Sequence, residues 1–213
     1  MTMPVGEGYF ANTREDLIPR SESSRMAILD VGCGMGRLGA ALKGLVPGRE
    51  VHGVEMVKEA AAQARMVLDS VVVGDVQTMS LPFAPGTFDC IIFADVLEHL
   101  LDPAATLRSV RPLLRPGGVI VCSIPNMRHY TAILRLLLHG WSYDEYGLFD
   151  RTHLRFFSLA SMRELLTSSG WTIESVRPRI SGSRKARLAN WLMGGRLEEF
   201  LALAYLICAR PSS

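Results

Sequence analysis

Three groups of residues have types and spacings that could do chemistry. The first is Ile28 to Gly39, I-L-D-V-G-C-G-M-G-R-L-G, in which Asp30 precedes Gly32, Gly34, Gly36 and Gly39. A short apolar run feeding a glycine-rich turn and then a helix opens a nucleotide-binding α/β unit. The turn is tight, a ligand must approach the backbone closely, and the helix start offers N–H groups and a partial positive charge. The second group is Glu55 and Asp75, acids that follow two further apolar runs. The third lies in two histidine-bearing segments, A-D-V-L-E-H-L with Asp95, Glu98 and His99, and F-D-R-T-H-L-R-F-F-S with His153. Imidazole titrates near neutrality and suits general-base work, and an acid beside a histidine also suits a metal ion.

Two ligand classes fit the glycine turn. Gly34, Gly36 and Gly39 satisfy G-x-G-x-x-G, and Glu55 stands about where a ribose-binding acid belongs, so an NAD-dependent dehydrogenase is one reading. Three features oppose it. Asp30 would repel a pyrophosphate but attract an ammonium group. Asp75, after Gly74, is a further acid placed to accept a bond from an adenine amine. Finally, 213 residues leave little room for a second, substrate-binding domain. Acids closing three successive strands suit a ligand with an ammonium, a ribose diol and an adenine amine but no phosphate. S-adenosylmethionine carries those three groups.

The elements that must position these residues follow from patterning. Expected strands run Ala27 to Val31, Glu50 to Glu55, Ser70 to Val73, Phe88 to Phe93, Val119 to Ile124, Trp171 to Val176 and Ala204 to Ala209. Helices are expected over Arg37 to Leu45, Lys58 to Leu68, from Asp102-Pro103 to about Val110, over Thr131 to Leu138, and after a cap at Ser158 or Ser161. Pro116-Gly117-Gly118 is expected to break the chain before the fifth strand. This alternation predicts one α/β domain over residues 1–213, built on a doubly wound sheet. It fails between residues 125 and 157, where W-S-Y-D-E-Y-G-L-F forms an aromatic insertion on the side where open α/β sheets bind ligands.

Composition narrows the function classes. Lys plus Arg number 23 and Asp plus Glu 21, a net charge of +2, which supplies no global field for nucleic acid. Cys33, Cys90, Cys122 and Cys208 sit in or beside apolar runs without C-x-x-C spacing, as small buried hydrophobes would. The N-terminus lacks a basic segment followed by an apolar core, and no run reaches the roughly 18 apolar residues of a membrane span, so a cytoplasmic protein is expected.

The ordered series I-L-D-V-G-C-G-M-G, G-V-E-M, G-D-V, F-D-C-I-I-F-A-D-V-L-E-H-L and L-L-R-P-G-G-V-I-V resembles class I SAM-dependent methyltransferases over Ile28 to Ile124. The F-D-R-T-H-L-R-F-F-S segment resembles a signature of their type-11/type-23 group, often linked to glycan or secondary-metabolite modification. The resemblance implies a Rossmann-like seven-stranded sheet of order 3-2-1-4-5-7-6, its last strand antiparallel, with helices on both faces. It implies that Gly32, Gly34 and Gly36 border the methionine part and that Asp30 orients the loop. Glu55 would take the ribose hydroxyls, Met56 would pack on adenine, and Asp75 with the Val76 amide would read the adenine edge. Asp95 would line the same pocket, and Tyr9 and Arg14 would close over the carboxylate.

Methyl transfer from a sulfonium is an in-line displacement that requires alignment and removal of the nucleophile's proton. No metal is chemically required. His153 is the expected general base or substrate anchor, and His99, just past the fourth strand, the second catalytic candidate. In a quinone-biosynthesis O-methyltransferase branch the same region is thought to hold a divalent metal, so Asp95, Glu98 and His99 are an alternative metal set. The acceptor expected is a hydroxyl on a small molecule or glycan, with no specific nucleic-acid partner. The fourth strand leads to A-D-V-L-E-H, not to a turn for a flipped base. The alternative outside catalysis is a SAM-binding module that has lost its chemistry. The aromatics His129, Tyr130, Trp141, Tyr143 and Tyr146 could line the acceptor pocket or form the insertion's own small core, and the basic run from Arg177 to Arg187 suits an anionic group or a solvated loop.

Overall fold

The computed structural model describes residues 26–180 and 190–212. Seven strands, β1 (Ala27–Val31), β2 (Glu50–Glu55), β3 (Ser70–Val73), β4 (Phe88–Ala94), β5 (Leu114–Pro125), β6 (Trp171–Ile180) and β7 (Ala202–Pro211), form one sheet of order β3-β2-β1-β4-β5-β7-β6. The first five pair in parallel, and β7 runs antiparallel to both β5 and β6. This is the Rossmann-like order expected. The described helices are α1 (Arg37–Leu45), α2 (Lys58–Ala64), α3 (Pro103–Val110), α4 (Tyr130–His139), α5 (Leu159–Ser168) and the single turn α6 (Glu198–Leu201).

Strand patterning explains the two faces. Successive side chains of a strand point to opposite sides, so a near-continuous apolar run is buried twice. Ile28, Cys90, Ile92, Val119 and Val121 pack with Leu42 of α1 and Ala61 and Ala64 of α2. Their neighbours Leu29, Val31, Ile91, Phe93, Ile120 and Cys122 pack with Leu107 and Val110 of α3 and Met162 and Leu166 of α5. Asp102 caps α3 by accepting from the Ala105 amide at 2.8 Å, with Pro103 in the first helical position. Ser158 caps α5, and the Ser161 hydroxyl accepts from the Ser158 amide at 2.9 Å in return.

Several boundaries differ from expectation: β6 runs on to Ile180 and β7 extends two residues at each end, from Ala202 to Pro211, and α2 and β5 differ for identifiable local reasons. α2 ends at Ala64 because Met66 and Val67 donate to carbonyls three residues back, the tighter turn with which helices close. β5 begins before Pro116-Gly117-Gly118, since Leu114 already pairs with Phe88. Pairing then resumes at Val119 opposite Cys90, and the proline and glycines bulge out between the two.

Between β5 and α5 the insertion consists of α4 and an irregular aromatic stretch. Trp141 stands edge-on to Phe149 and Phe156, with ring centroids 5.2 and 4.8 Å away, and Arg135 ties Asp144 while covering the Phe149 ring at 4.4 Å. These rings touch one another edge-on, but only Phe149 is buried; Trp141, Tyr143 and Tyr146 remain exposed. His129 is buried against Tyr130 and bonded to the Thr131 hydroxyl at 2.7 Å. Among the described residues, no helix is long and apolar enough to cross a membrane.

Candidate active site

The carboxyl ends of the parallel strands converge on one cleft, a cavity of about 230 Å³. Of the residues the sequence singled out, Gly32, Glu55, Met56, Asp75, Val76, Asp95 and His99 line it. The glycine loop after β1 explains why those positions are free for a ligand. The Gly32 and Cys33 amides both donate to the Val54 carbonyl, at 2.8 and 3.1 Å, and so pin the loop across the end of β2. Gly34, at φ +55°, has nothing within 4 Å of where a Cβ would stand; it faces open space that a ligand can enter. Gly36 plays another part. A Cβ there would stand 2.8 Å from Val67 Cγ2 and 3.1 Å from Ala64 Cα, so its bareness makes room for α2 rather than for the methionine part of a ligand.

Glu55 is buried, and its two oxygens accept from the Gly34 amide at 2.9 Å and the Val57 amide at 2.8 Å. A carboxylate offers about four lone-pair sites, so two remain for a diol while the same side chain braces the glycine loop. Met56 is 68% exposed over the cavity; it is not ordinary core, and a planar ligand would cover it. Asp75 accepts from the Gln77 amide at 2.9 Å, and Gln77 in turn accepts from the Leu101 amide at 2.7 Å, which joins the turn after β3 to the segment after β4. Asp95 holds a left-handed backbone (φ 56°) that non-glycine residues seldom adopt. Its carboxylate accepts from the Ser123 hydroxyl at 2.6 Å and its amide donates to the Ser123 carbonyl at 3.0 Å. Asp30 is buried at the end of β1 and does not line the cavity. Burial, then the nearby charges of Asp30 and Glu55, push the Cys33 thiol up to about 12, so it is no nucleophile.

The two catalytic candidates meet. His99, in the 3-10 turn Leu97–His99, lies at the cavity wall, and His153 is buried behind it, ring centroids 4.8 Å apart at 67°. Glu98, His99 and His153 each bring one potential ligand atom within 4.8 Å of the others. This trio shares two members with the expected metal alternative and has His153 in place of Asp95, which is taken up by Ser123. Burial, and then the proximity of His99, hold the His153 imidazole below its ordinary pKa of 6.5 and keep it neutral at pH 7. The segment carrying His153 is fastened across the turn: the Leu154 and Arg155 amides donate to the Glu98 carbonyl at 2.8 and 3.0 Å.

Sequence reasoning missed Ser123, Gln77, Asp150 and Thr152. Asp150 and Thr152 carry a local signal, an acid two residues before a threonine whose amide it accepts. Tyr9, Arg14 and most of the Arg177–Arg187 run lie outside the described residues.

Sequence comparison settles the family. The family model for a methyltransferase domain of the type-23 group matches residues 7–176. The chain belongs to that family. This methyltransferase is 32% identical over 164 residues to a ubiquinone biosynthesis O-methyltransferase of Xanthomonas euvesicatoria pv. vesicatoria, covering 74% of this chain and 67% of that one. It is 31% identical over 172 residues to an uncharacterized transposon-encoded protein of Streptomyces fradiae, covering 78% of this chain and 49% of that one. The match thus spans between half and two thirds of these relatives' own lengths. Among solved structures, a SAM-dependent methyltransferase from Thermotoga maritima, described as a possible histamine N-methyltransferase, aligns with a TM-score of 0.65 at 19% identity over 94% of this chain and 86% of that one. A SAM-dependent methyltransferase from Mesorhizobium loti aligns with a TM-score of 0.63 at 20% identity, over 92% and 94%. The cofactor is S-adenosylmethionine, and the dehydrogenase reading falls away. The open space at Gly34, the spare lone pairs of Glu55 and the bare face of Met56 fit that cofactor.

Proposed function

We propose that this methyltransferase methylates a hydroxyl on a small-molecule or glycan acceptor, with His99 and His153 as the groups that take the nucleophile's proton. One observation carries the reading: two imidazoles, one at the cavity wall and one kept neutral by burial, stand 4.8 Å apart beside the cofactor cleft. The cofactor supplies an electrophilic methyl on a sulfonium and leaves as a neutral thioether. Glu55 and Asp75 hold its ribose and adenine ends, Met56 covers the ring, and the loop at Gly32 and Gly34 admits the methionine end. The acceptor oxygen attacks in line as its proton passes to an imidazole, so the forming ether is neutral and the charge ends on the histidine. The hydroxyl acceptor is supported by the O-methyltransferase relative.

The test is turnover on a panel of phenols, sugars and hydroxylated lipids, beside calorimetry with S-adenosylhomocysteine. His153→Ala is expected to bind that product within about twofold of wild type yet lose about 10²- to 10⁴-fold in kcat, the usual worth of a general base. Unchanged turnover in the variant across all pH values would sink the assignment. Binding without methylation of any acceptor would instead favour the SAM-binding module.

A further inference from the structure

Asp150 and Thr152 of the D-R-T-H segment are polar residues that the proposed reaction does not use. Their hydrogen bonds have a direction. The Thr152 amide and hydroxyl both donate to Asp150 Oδ1, at 2.8 and 2.7 Å. An aspartate carboxylate accepts and does not donate near neutral pH, so the Thr152 hydroxyl hydrogen is committed to it. The oxygen of that hydroxyl then has only lone pairs left to offer. His99 Nδ1 lies 3.1 Å from this oxygen and 3.2 Å from the Thr152 carbonyl oxygen. Both neighbours are acceptors, so in the neutral ring Nδ1 carries the hydrogen and Nε2 the lone pair. His153 reaches the same state by a separate route, its Nδ1 lying 3.3 Å from the Leu148 carbonyl oxygen.

We propose that Asp150 and Thr152 are positioning residues that lock His99 in its Nδ1–H tautomer, so that both imidazoles of the pair present Nε2 as the proton acceptor. Without the carboxylate, the Thr152 hydroxyl is free to turn and donate its hydrogen to Nδ1. That would put the hydrogen of His99 on Nε2 and leave no base there. The segment also fixes the turn on which His99 stands, through the Leu154 and Arg155 amides on the Glu98 carbonyl and through Arg155 Nη2 on the Leu101 carbonyl at 2.5 Å. The catalytic consequence rests on the base role proposed above; the tautomer itself does not.

The experiment is long-range proton–nitrogen correlation NMR of the histidine rings in the full chain at pH 7.5, with kcat, KM and S-adenosylhomocysteine affinity measured in parallel. Wild type is expected to show His99 as Nδ1–H. Asp150→Ala shifts His99 toward Nε2–H and lowers kcat about tenfold or more, with KM and product affinity within about twofold. Adding Thr152→Val to Asp150→Ala removes the wayward hydroxyl, and the carbonyl alone restores Nδ1–H. Asp150→Asn, which keeps an acceptor oxygen, behaves as wild type. An Nε2–H His99 in the wild type overturns the proposal without any variant having to fold. So does an Asp150→Ala protein with an unaltered tautomer, or with a shifted tautomer and unaltered kcat. Failure of the wild type to bind S-adenosylhomocysteine would instead break the functional reading and leave the tautomer result standing.

Discussion

Glu55 does two things with one carboxylate, and both depend on its charge. It accepts from the Gly34 and Val57 amides, and at the cavity wall it has two lone-pair sites left for the ribose diol proposed above. Glu55→Gln would put amide hydrogens where a donor is already present, breaking one of these bonds and withdrawing the charge. Hydrogen bonds to a charged partner are worth roughly 1.5–3 kcal/mol, so the affinity for S-adenosylhomocysteine should fall about 10- to 100-fold by calorimetry. An unaltered affinity would show that Glu55 only braces the loop. The strand-end acids were legible because an apolar run that stops at an acid places that acid at the sheet's carboxyl edge, whatever the rest of the chain does. The pairing of His99 with His153 was not, because it depends on how the insertion folds back over the turn after β4. For the same reason Asp95 looked like a partner of Glu98 and His99, while the folded chain gives it Ser123 from the neighbouring strand.

At the scale of elements, the glycines of one loop divide their labour between ligand and packing. Gly36 lies at φ +79° with Val67 and Ala64 of the α2 region against it, whereas Gly34 borders open space. Gly36→Ala should cost about 1–2 kcal/mol for the left-handed backbone and about 1–3 kcal/mol for the crowding. At about 2–4 °C per kcal/mol for a chain of this size, the Tm should fall by several degrees while the product affinity stays within about threefold. Gly34→Ala should do the reverse, losing more than about tenfold in affinity because its Cβ enters the ligand's space, with a smaller fall in Tm. Equal effects of the two substitutions on Tm and on affinity would refute this division. The sequence pattern marks both residues as necessary glycines and does not distinguish them. Only the approach of α2, which ends earlier than its alanines suggest, makes the difference. The sheet itself was legible nearly to the residue in β1, β2 and β3, whose apolar runs are short and sharply closed. It was less so in β5, where a proline and two glycines bulge without ending the strand.

Two imidazoles buried neutral give the whole molecule a pH dependence of stability with a definite sign. His153 is held below its ordinary value by burial and then by His99, and His129 by burial. In the unfolded chain both titrate near 6.5. Between that pH and their lower folded values the unfolded state therefore binds more protons than the folded one, and stability rises with pH across this window. Their contribution is fully present above pH 6.5 and is lost progressively as the pH falls through the folded values. Denaturant midpoints for wild type should accordingly be level from pH 7 to 8 and decline from pH 6.5 toward 5. The double variant His129→Gln, His153→Gln has nothing to protonate at either position. It should be less stable at pH 7, having lost packing and the Thr131 and Leu148 bonds, but its midpoint should change less between pH 6.5 and 5. If both proteins declined in parallel, the acid sensitivity would have to come from other groups, and the neutral burial of these imidazoles would have no thermodynamic weight. Under the proposed base role of His153 the same neutrality would serve the reaction, since a base that resists protonation in the folded protein is still a base slightly below pH 6.5, and the acidic limb of kcat should then lie on the acid side of that value.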